Sequence, residues 1–261
     1  MEHRAKRSLG QNFLIDDNIC RRIVDALDVG DDSLIVEIGP GKGALSRFLL
    51  QASPRKYIAL EKDAALAEAL SDRYPQARVR CMDALQFPWE DLTGRVQIVG
   101  NLPYNIGSRL IWDIVSRVQS YDRAIFMVQL EVAQRLTAKA GEKAYGALGA
   151  WVQSFAETQL LFRVPPTVFR PQPKVMSGVV RFTPLGVECR PADPVALSEV
   201  LRLCFQKRRK QLGNILRTRW NDELSQWFAE EGLSPTLRPE ALTPRQFQGL
   251  AARIVMNNAE S

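Results

Sequence analysis

Apolar segments of strand length alternate with helical segments through most of this chain, and that alternation restricts its possible folds more than any other feature. The segment SLIVEIG at 33–39 predicts a buried strand, as in parallel sheets that are covered on both faces. Repeated strand–helix–strand units predict an α/β fold with a mostly parallel, doubly wound sheet. The predicted strands cover residues 33–39, 56–61, 78–82, 95–100 and 122–130, with weaker candidates at 157–164 and 175–183.

Helical patterns separate these strands. The first follows Asp16 or Asp17, either of which can cap a helix with Ile19, Ile23 and Leu27 on one face. The other helices of this part of the chain are predicted at residues 41–50, 63–73, 106–118 and 131–138.

The pattern changes near residue 184. The segment PLGVECRPADP at 184–194 is rich in proline and is typical of a linker. After it the strand patterns stop, and helices are predicted at 195–210, 222–231 and 244–256. We therefore expect an α/β domain over residues 1–185, beginning with a flexible basic arm at 1–15, and a small all-helical domain over 186–261.

A shortage of histidine excludes several classes of enzyme. A Ser-His-Asp triad, a Cys-His dyad and a histidine-based zinc site would each depend on His3, the one histidine of the chain.

The four cysteines are widely spaced and predict buried thiols in a reducing cytosol, not a metal site or disulfides. The N-terminal sequence has no apolar core, and no apolar stretch approaches the length of a membrane span, so we expect a cytoplasmic protein. The cysteines are Cys20, Cys81, Cys189 and Cys204.

The charge balance favours a polyanionic partner. Basic residues number 35 and acidic residues 29, which gives a net charge of +6 and an isoelectric point near 9.3. A one-sided basic run follows the predicted linker and is either a solvated face or a surface that contacts phosphates. Arg4, Lys6 and Arg7 form a second basic group. The run contains Arg202, Lys207, Arg208, Arg209, Lys210, Arg217 and Arg219, with no acid between residues 200 and 221.

A glycine-rich turn and two acids follow successive strands. Gly39, Gly41 and Gly43 come directly after the first strand, where they allow a tight turn and close approach of a ligand. Glu61 ends the second strand, at a distance suited to binding both hydroxyls of a ribose, and Asp83 follows the third. Either acid alone would be better explained as a solvated loop charge, and the turn alone as a turn without a ligand. Together they favour a nucleoside-bearing cofactor.

The spacing of the glycines favours S-adenosylmethionine over a nicotinamide dinucleotide. Dinucleotide binding usually shows G-x-G-x-x-G, whereas here the third glycine comes one residue early and Pro40 interrupts the turn.

The tetrapeptide Asn101-Leu102-Pro103-Tyr104 follows the predicted strand at 95–100. It can be a simple turn, but the carboxyl end of a central strand is where α/β folds place their chemistry. The Asn101 side-chain oxygen and the Leu102 carbonyl can accept hydrogen bonds from an exocyclic amine, while Pro103 fixes the turn and Tyr104 offers a face for a base. These residues suit methylation of an amine on a nucleobase.

Four motifs in order resemble those of the bacterial small-subunit ribosomal RNA adenine N6,N6-dimethyltransferases, whose loss confers kasugamycin resistance. They are GQNFL at 10–14, VEIGPGKGALS at 36–46, NLPYNIGS at 101–108 and VPPTVFRPQPKV at 164–175. The resemblance covers the whole chain. It implies a class I, Rossmann-like, S-adenosylmethionine-dependent methyltransferase that dimethylates two adjacent adenosines near the 3′ end of 16S ribosomal RNA, in the terminal hairpin loop, during small-subunit biogenesis.

The resemblance also implies a role for individual residues. Asn12 and Leu14 would close over the cofactor, with Glu61 at its ribose, Asp83 at its adenine and Asn101 between cofactor and target amine. Phe169 would stack on the target base opposite Tyr104. The implied cofactor-binding residues are Asn12, Leu14, Gly39, Gly41, Glu61, Asp83 and Asn101, and the implied catalytic residues are Asn101, Leu102, Pro103, Tyr104 and Phe169.

Further expectations concern partners. The helical domain would dock 16S ribosomal RNA, in the small subunit or its assembly precursor, through Arg202, Lys207, Arg208, Arg209, Lys210 and Arg217. We expect a monomer with no metal and no membrane. The sequence departs from the family at Ala147 and Gly149, where an arginine and a serine are frequent. The alternatives are a macrolide-resistance methyltransferase acting on 23S ribosomal RNA, a nicotinamide-dependent oxidoreductase and a non-catalytic ribosome assembly factor.

Overall fold

The structure is a computed structural model, and it describes residues 11–104, 106–118 and 120–256. The predicted basic side chains at Arg4, Lys6 and Arg7, and the histidine, lie outside the described residues. The strands are β1 (Phe13–Leu14), β2 (Leu34–Ile38), β3 (Lys56–Glu61), β4 (Arg78–Cys81), β5 (Val96–Asn101), β6 (Arg123–Gln129), β7 (Ala156–Val164), β8 (Phe169–Arg170) and β9 (Ser177–Pro184).

In the first half of the chain the helices lie where they are predicted, except that α2 begins at Ser46 and not at residue 41, because residues 41–45 form turns. The helices are α1 (Asp17–Leu27), α2 (Ser46–Gln51), α3 (Ala64–Arg73), α4 (Gly107–Arg117), α5 (Leu130–Thr137), α6 (Ala147–Gln153), α7 (Pro194–Gln206), α8 (Leu212–Ile215), α9 (Asp222–Glu230) and α10 (Pro244–Met256). Asp16 caps α1, since its side chain accepts a hydrogen bond from the backbone of Ile19 at 3.0 Å.

The predicted α/β fold is confirmed. Seven strands form one sheet in the order β4-β3-β2-β5-β6-β9-β7. The pairings from β4 through β6 are parallel, and β9 runs antiparallel to β6. The strand order reverses at β2, whose neighbours are β3 and β5, and such a switch point opens a crevice at the carboxyl ends of the strands.

The register aligns the residues that follow the central strands. Ile38 of β2 lies opposite Leu60 of β3 and opposite Gly100 of β5. Gly39, Glu61 and Asn101, each one residue further along, therefore emerge at the same level of the sheet. This alignment brings residues far apart in the sequence to one edge.

The N-terminal segment is partly ordered by strand pairing, which corrects the prediction of a flexible arm for its described part. Phe13 pairs with Arg170 and Leu14 with Phe169, so that β1 and β8 form a separate two-stranded antiparallel sheet. The backbone N–H of Ile15 extends the pairing by donating to the Val168 carbonyl at 2.9 Å. Leu14 is buried and belongs to the core around α1.

The chain divides into two compact units, one comprising Met1–Ala133 and Glu157–Pro184 and the other Gln134–Ala156 and Leu185–Ser261. The break after Pro184 coincides with the predicted linker. The segment Gln134–Ala156 was predicted in the α/β domain but belongs to the helical unit, because α6 packs there on α7 and α10.

The α6 helix has one position that restricts its sequence. A Cβ on Gly149 would lie 2.6 Å from the Arg135 carbonyl oxygen, so the serine that the resemblance leads us to expect there would force this backbone apart. The departure at Gly149 therefore has a local packing reason within the helical unit.

Two expectations about cysteines are corrected by the structure. Cys20 and Cys204 are buried as predicted, whereas Cys81 and Cys189 are exposed. Cys81 lies in β4 at the edge of the sheet, and Cys189 lies in the segment predicted as a linker, so neither position is covered. Within the described parts of the chain, no helix is long and apolar enough to cross a membrane, and no cluster of His, Cys, Asp and Glu side chains could hold a metal ion.

Candidate active site

A pocket opens at the carboxyl ends of β2, β3, β4 and β5. It is lined by the glycine turn after β2, by Glu61, by Asp83, by residues 101–104 and by residues 11–14. The structure thus brings together all the predicted cofactor-binding residues and four of the five predicted catalytic residues.

Glu61 connects the glycine turn to the end of β3. Its carboxylate oxygens accept hydrogen bonds from the backbone N–H groups of Gly41 at 3.0 Å and Asp63 at 2.9 Å. The side chain is only 6% exposed, and this burial raises the pKa of its carboxyl. Gly41 has a φ of +57°, and a Cβ there would lie 3.0 Å from the Phe13 ring, so the turn requires glycine.

A second buried carboxyl, Glu37, lies under the glycine turn and was not assigned a role from the sequence. It accepts hydrogen bonds from the hydroxyls of Ser46, at 2.8 Å, and Tyr57. Desolvation raises the pKa of Glu37 to about 7, even though both hydroxyls favour the ionised form. The wall of the pocket that the glycine turn forms is therefore supported by polar groups of β2, α2 and β3.

Asp83 is engaged by its neighbours. One oxygen accepts from the Lys62 ammonium at 2.7 Å and the other from the Leu85 backbone at 3.0 Å. Burial raises the pKa of Asp83, but these hydrogen bonds outweigh it, and the pKa lies below its ordinary value. The carboxylate is ionised at neutral pH and faces the pocket.

The Asn101–Tyr104 turn is built into the sheet and into α4. The Leu102 backbone donates to the Met127 carbonyl of β6 at 3.0 Å, and the Pro103 carbonyl accepts from Gly107 at 2.9 Å. The Leu102 side chain is buried against Gly100 and Gly107. The turn is therefore a fixed continuation of β5.

Two side chains of this turn are held by residues from distant parts of the chain. The Asn101 amide donates to the backbone carbonyl of Asn12 at 3.0 Å. The Tyr104 hydroxyl and the buried Ser177 hydroxyl share a hydrogen bond at 3.0 Å. Neither contact was foreseen from the sequence, because no local pattern marks a partner 89 or 73 residues away.

Phe169 does not take the predicted position. It is 1% exposed and packs in the core with Leu14, to which it is paired across β1 and β8. A ring that is covered on all sides has no face for a base, so the prediction of stacking by Phe169 is not supported by this structure. Tyr104 is the aromatic side chain of the predicted catalytic set that lines the pocket.

The central part of the predicted RNA-binding run, residues 207–210, is a turn between helices, since α7 ends at Gln206 and α8 begins at Leu212, whereas Arg202 lies on α7. Lys207, Arg209 and Lys210 are exposed there. Arg208 is instead used within the helical unit, where it donates to the Lys143 carbonyl at 2.9 Å and lies 3.5 Å from Glu240. Arg202 and Arg217 are also exposed.

The family model described as ribosomal RNA adenine dimethylase matches residues 2–254. The chain belongs to the ribosomal RNA adenine dimethylase family. It is 52% identical over 250 residues to the ribosomal RNA small subunit methyltransferase A of Maridesulfovibrio salexigens, which covers 95% of each chain. It is 47% identical to the protein of that name from Oleidesulfovibrio alaskensis, over 95% of this chain and 90% of the relative.

Solved structures agree with the fold of a ribosomal RNA adenine dimethylase. A dimethyladenosine transferase from Plasmodium falciparum superposes with a TM-score of 0.77 at 22% identity, covering 95% of this chain and 98% of the other. The 23S rRNA methyltransferase ErmE superposes with a TM-score of 0.72 at 24% identity, covering 94% and 100%. These confirm the class I methyltransferase fold predicted from the sequence.

Proposed function

We propose that this protein transfers methyl groups from S-adenosylmethionine to N6 of two adjacent adenosines in the 3′-terminal hairpin loop of 16S ribosomal RNA, giving N6,N6-dimethyladenosine. The observation that carries the proposal is the shared level of Glu61 and Asn101 at one sheet edge, in a chain of the ribosomal RNA adenine dimethylase family. The names of the relatives from Maridesulfovibrio salexigens and Oleidesulfovibrio alaskensis favour the small subunit over the 23S alternative.

The pocket residues suit the proposed cofactor. Glu61 is a buried carboxylate with two backbone donors, and each of its oxygens can accept a further hydrogen bond from a ribose hydroxyl. Asp83, ionised and at the pocket wall, can accept from an adenine amine. Gly39 and Gly41 line the pocket without a side chain, which leaves room for a ligand to approach the backbone. When bound, S-adenosylmethionine supplies an electrophilic methyl group on a positively charged sulfur.

The protein's own residues prepare the target amine. The lone pair of an exocyclic amine is delocalised into the ring, so it is a poor nucleophile. The Asn101 oxygen and the Leu102 carbonyl are proposed to accept its two N–H groups and to favour the pyramidal geometry that frees the lone pair. Tyr104 is proposed to stack on the base, which must leave its stack in the RNA to enter the pocket.

No strong base is required by this scheme. The target nitrogen would take up the methyl group with its own lone pair, and the electron pair of the carbon–sulfur bond would remain with the cofactor's sulfur. The methylated nitrogen then loses its proton readily to water. The protein's residues mainly align the target amine and stabilise its pyramidal geometry. This is consistent with a pocket whose described walls contain no histidine.

The second methylation uses fewer contacts. After the first transfer one N–H remains, so only one of the two acceptors can bind it. The proposed Leu102 carbonyl contact suits this role while the first methyl group turns aside.

We also propose that the exposed basic turn of the helical unit docks the RNA by its phosphates, without reading bases. Work on ribosomal RNA would place the protein in the cytoplasm, acting on a small subunit or its precursor. We propose that it acts as a monomer.

The direct test is incubation with under-methylated small subunits and labelled S-adenosylmethionine, followed by mass spectrometry of digested RNA. Label in N6,N6-dimethyladenosine at two neighbouring positions of 16S ribosomal RNA is the expected result. Label confined to 23S RNA in a parallel incubation with large subunits would support the alternative. Binding of the cofactor without any transfer would support an assembly factor, and binding of NAD in equilibrium dialysis an oxidoreductase.

A further inference from the structure

Residues 11–15 are called the strap here; the first four of them line the pocket, and the segment is held at several points. The Gln11 amide donates to the Asp63 carboxylate at 3.3 Å, next to the end of β3. Phe13 and Leu14 pair with β8, and Ile15 donates to Val168. Between these anchors lies Asn12, whose backbone carbonyl accepts the hydrogen bond from the Asn101 amide.

The orientation of the Asn101 carboxamide decides what it can do. Its oxygen only accepts hydrogen bonds and its nitrogen only donates them. If the nitrogen faced an incoming amine, two donors would meet and the amine could not be held. The two ends of the group have nearly the same shape, so packing alone does not select one orientation.

The strap selects the useful orientation. A carbonyl oxygen at Asn12 attracts the Asn101 nitrogen and repels its oxygen, so the nitrogen is held by the strap and the oxygen points away from it. A flipped carboxamide would lose this hydrogen bond and place two acceptors about 3 Å apart. We propose that the Asn12 carbonyl is a positioning group for methyl transfer, which fixes the Asn101 oxygen as the acceptor for the target amine.

This proposal rests on the proposed function and adds a role for the strap. The anchors of the strap at Asp63 and β8 are independent of Asn101, so the carbonyl is presented before any RNA binds. The strap therefore acts through Asn101 and need not touch the amine.

The variant Asn101→Asp tests whether Asn101 only has to accept a hydrogen bond from the target amine or must also donate one to the Asn12 carbonyl. A carboxylate accepts hydrogen bonds from an amine at least as well as an amide does, but it cannot donate to the Asn12 carbonyl. If acceptance were the whole role, the variant would stay active. We expect kcat at pH 8 to fall roughly 100-fold, on the scale of a lost preorganised contact.

A pH profile then identifies the missing hydrogen bond. Once protonated, the carboxyl introduced by Asn101→Asp can donate to the Asn12 carbonyl and keep one oxygen as acceptor. The ratio of variant to wild-type kcat should therefore rise at least about tenfold between pH 8 and pH 5.5. Asn18→Asp, which adds the same charge at an exposed site in the first turn of α1, is the matched control and should show a flat ratio.

Hydrogen exchange provides a readout without catalysis. In Asn101→Asp at pH 8, without cofactor or RNA, exchange of a peptide containing residues 11–15 should be faster than in the wild type at the same pH. The difference should shrink at pH 5.5.

Three results would each overturn the positioning role. They are full activity of Asn101→Asp at pH 8, a ratio of variant to wild-type kcat that stays flat or falls as the pH is lowered, and unchanged hydrogen exchange of residues 11–15. Failure of the wild type to form dimethyladenosine would instead overturn the proposed function, and the exchange comparison would still report on the strap.

Discussion

The two sides of the pocket are held in different ways. On the proposed cofactor side, Glu61 bonds to Gly41 and Asp63, and Asp83 to Lys62, so that every contact lies within one strand–helix unit or joins two neighbouring units. On the target side, Asn101 and Tyr104 depend on Asn12 and Ser177, from the start and the end of the α/β unit. A cofactor site can thus be completed by adjacent elements, whereas the target site here needs the whole unit.

Replacing Asn101 tests the target side most strongly. Asn101→Ala removes the proposed acceptor and the hydrogen bond to the strap, and should raise the barrier to methyl transfer by roughly 2–4 kcal/mol. Turnover of small subunits should fall roughly 30- to 1,000-fold, with a smaller change in RNA affinity, as measured by initial rates and filter binding. Some loss of cofactor affinity is expected because the side chain lines the shared pocket. Full activity would contradict the proposed role of the turn.

Glu37→Gln tests whether the cofactor side is held by its own buried groups. The pKa of Glu37 is about 7 in the folded protein and near 4.5 when unfolded, so the folded state holds the proton more tightly. Wild-type stability should therefore fall as the pH rises from about 4.5 to 7, and Gln removes this loss because it is always neutral. The variant should gain about 3 kcal/mol relative to the wild type across that window, measured by urea unfolding. A constant difference would show that Glu37 ionises normally.

Glu61→Ala should weaken S-adenosylmethionine binding by about 2–3 kcal/mol, because two ribose hydroxyls lose a charged acceptor. Calorimetry on the folded variant measures the effect. Glu68→Ala, at an exposed position of α3, is the control and should bind normally. Unchanged affinity in Glu61→Ala would remove this residue from the cofactor site and, with it, the distinction between the two sides.

The helical unit offers a change outside both sides of the pocket. Replacing Lys207, Arg209 and Lys210 by alanine should weaken RNA binding about tenfold and flatten its salt dependence, while cofactor affinity stays constant. Arg208 is left in place because it bonds to the Lys143 carbonyl.

A control variant removes the same number of positive charges at another place on the surface. Arg55, Arg73 and Arg78 are exposed and lie near the β3–β4 edge of the sheet. Their replacement by alanine should alter the salt slope less than the change in the basic turn. Equal slopes for the two variants would mean that net charge, and not the basic turn, attracts the RNA.

The smallest expected effect concerns the orientation of Tyr104. Tyr104→Phe and Ser177→Ala each remove one hydroxyl of the same hydrogen bond. Each should raise the activation free energy calculated from kcat/KM by about 1 kcal/mol. The double variant should be little worse than either single one, because the interaction is already lost. Additive losses would show that the two hydroxyls act separately and that Ser177 does not position the ring.

The sequence predicted most of the α/β unit because its signals are local. The strand at 56–61 and the Asp16 cap are both confirmed, since apolar runs and caps depend on neighbouring residues. The two-residue strands β1 and β8 were missed, because so short a pairing leaves no periodic pattern. Phe169 was placed at the target by its motif, but its burial depends on β1, which the sequence did not reveal.

The pairing of β1 with β8 also bears on the order in which the chain can assemble. Phe13 and Leu14 are synthesised before the parallel strands β2 to β6, yet their partners Arg170 and Phe169 emerge only after those strands. Contacts of such long sequence separation form late, after the loops between them have closed. The segment that orients Asn101 is therefore made early and placed late, and a nascent chain that has folded its cofactor side still lacks an ordered target side.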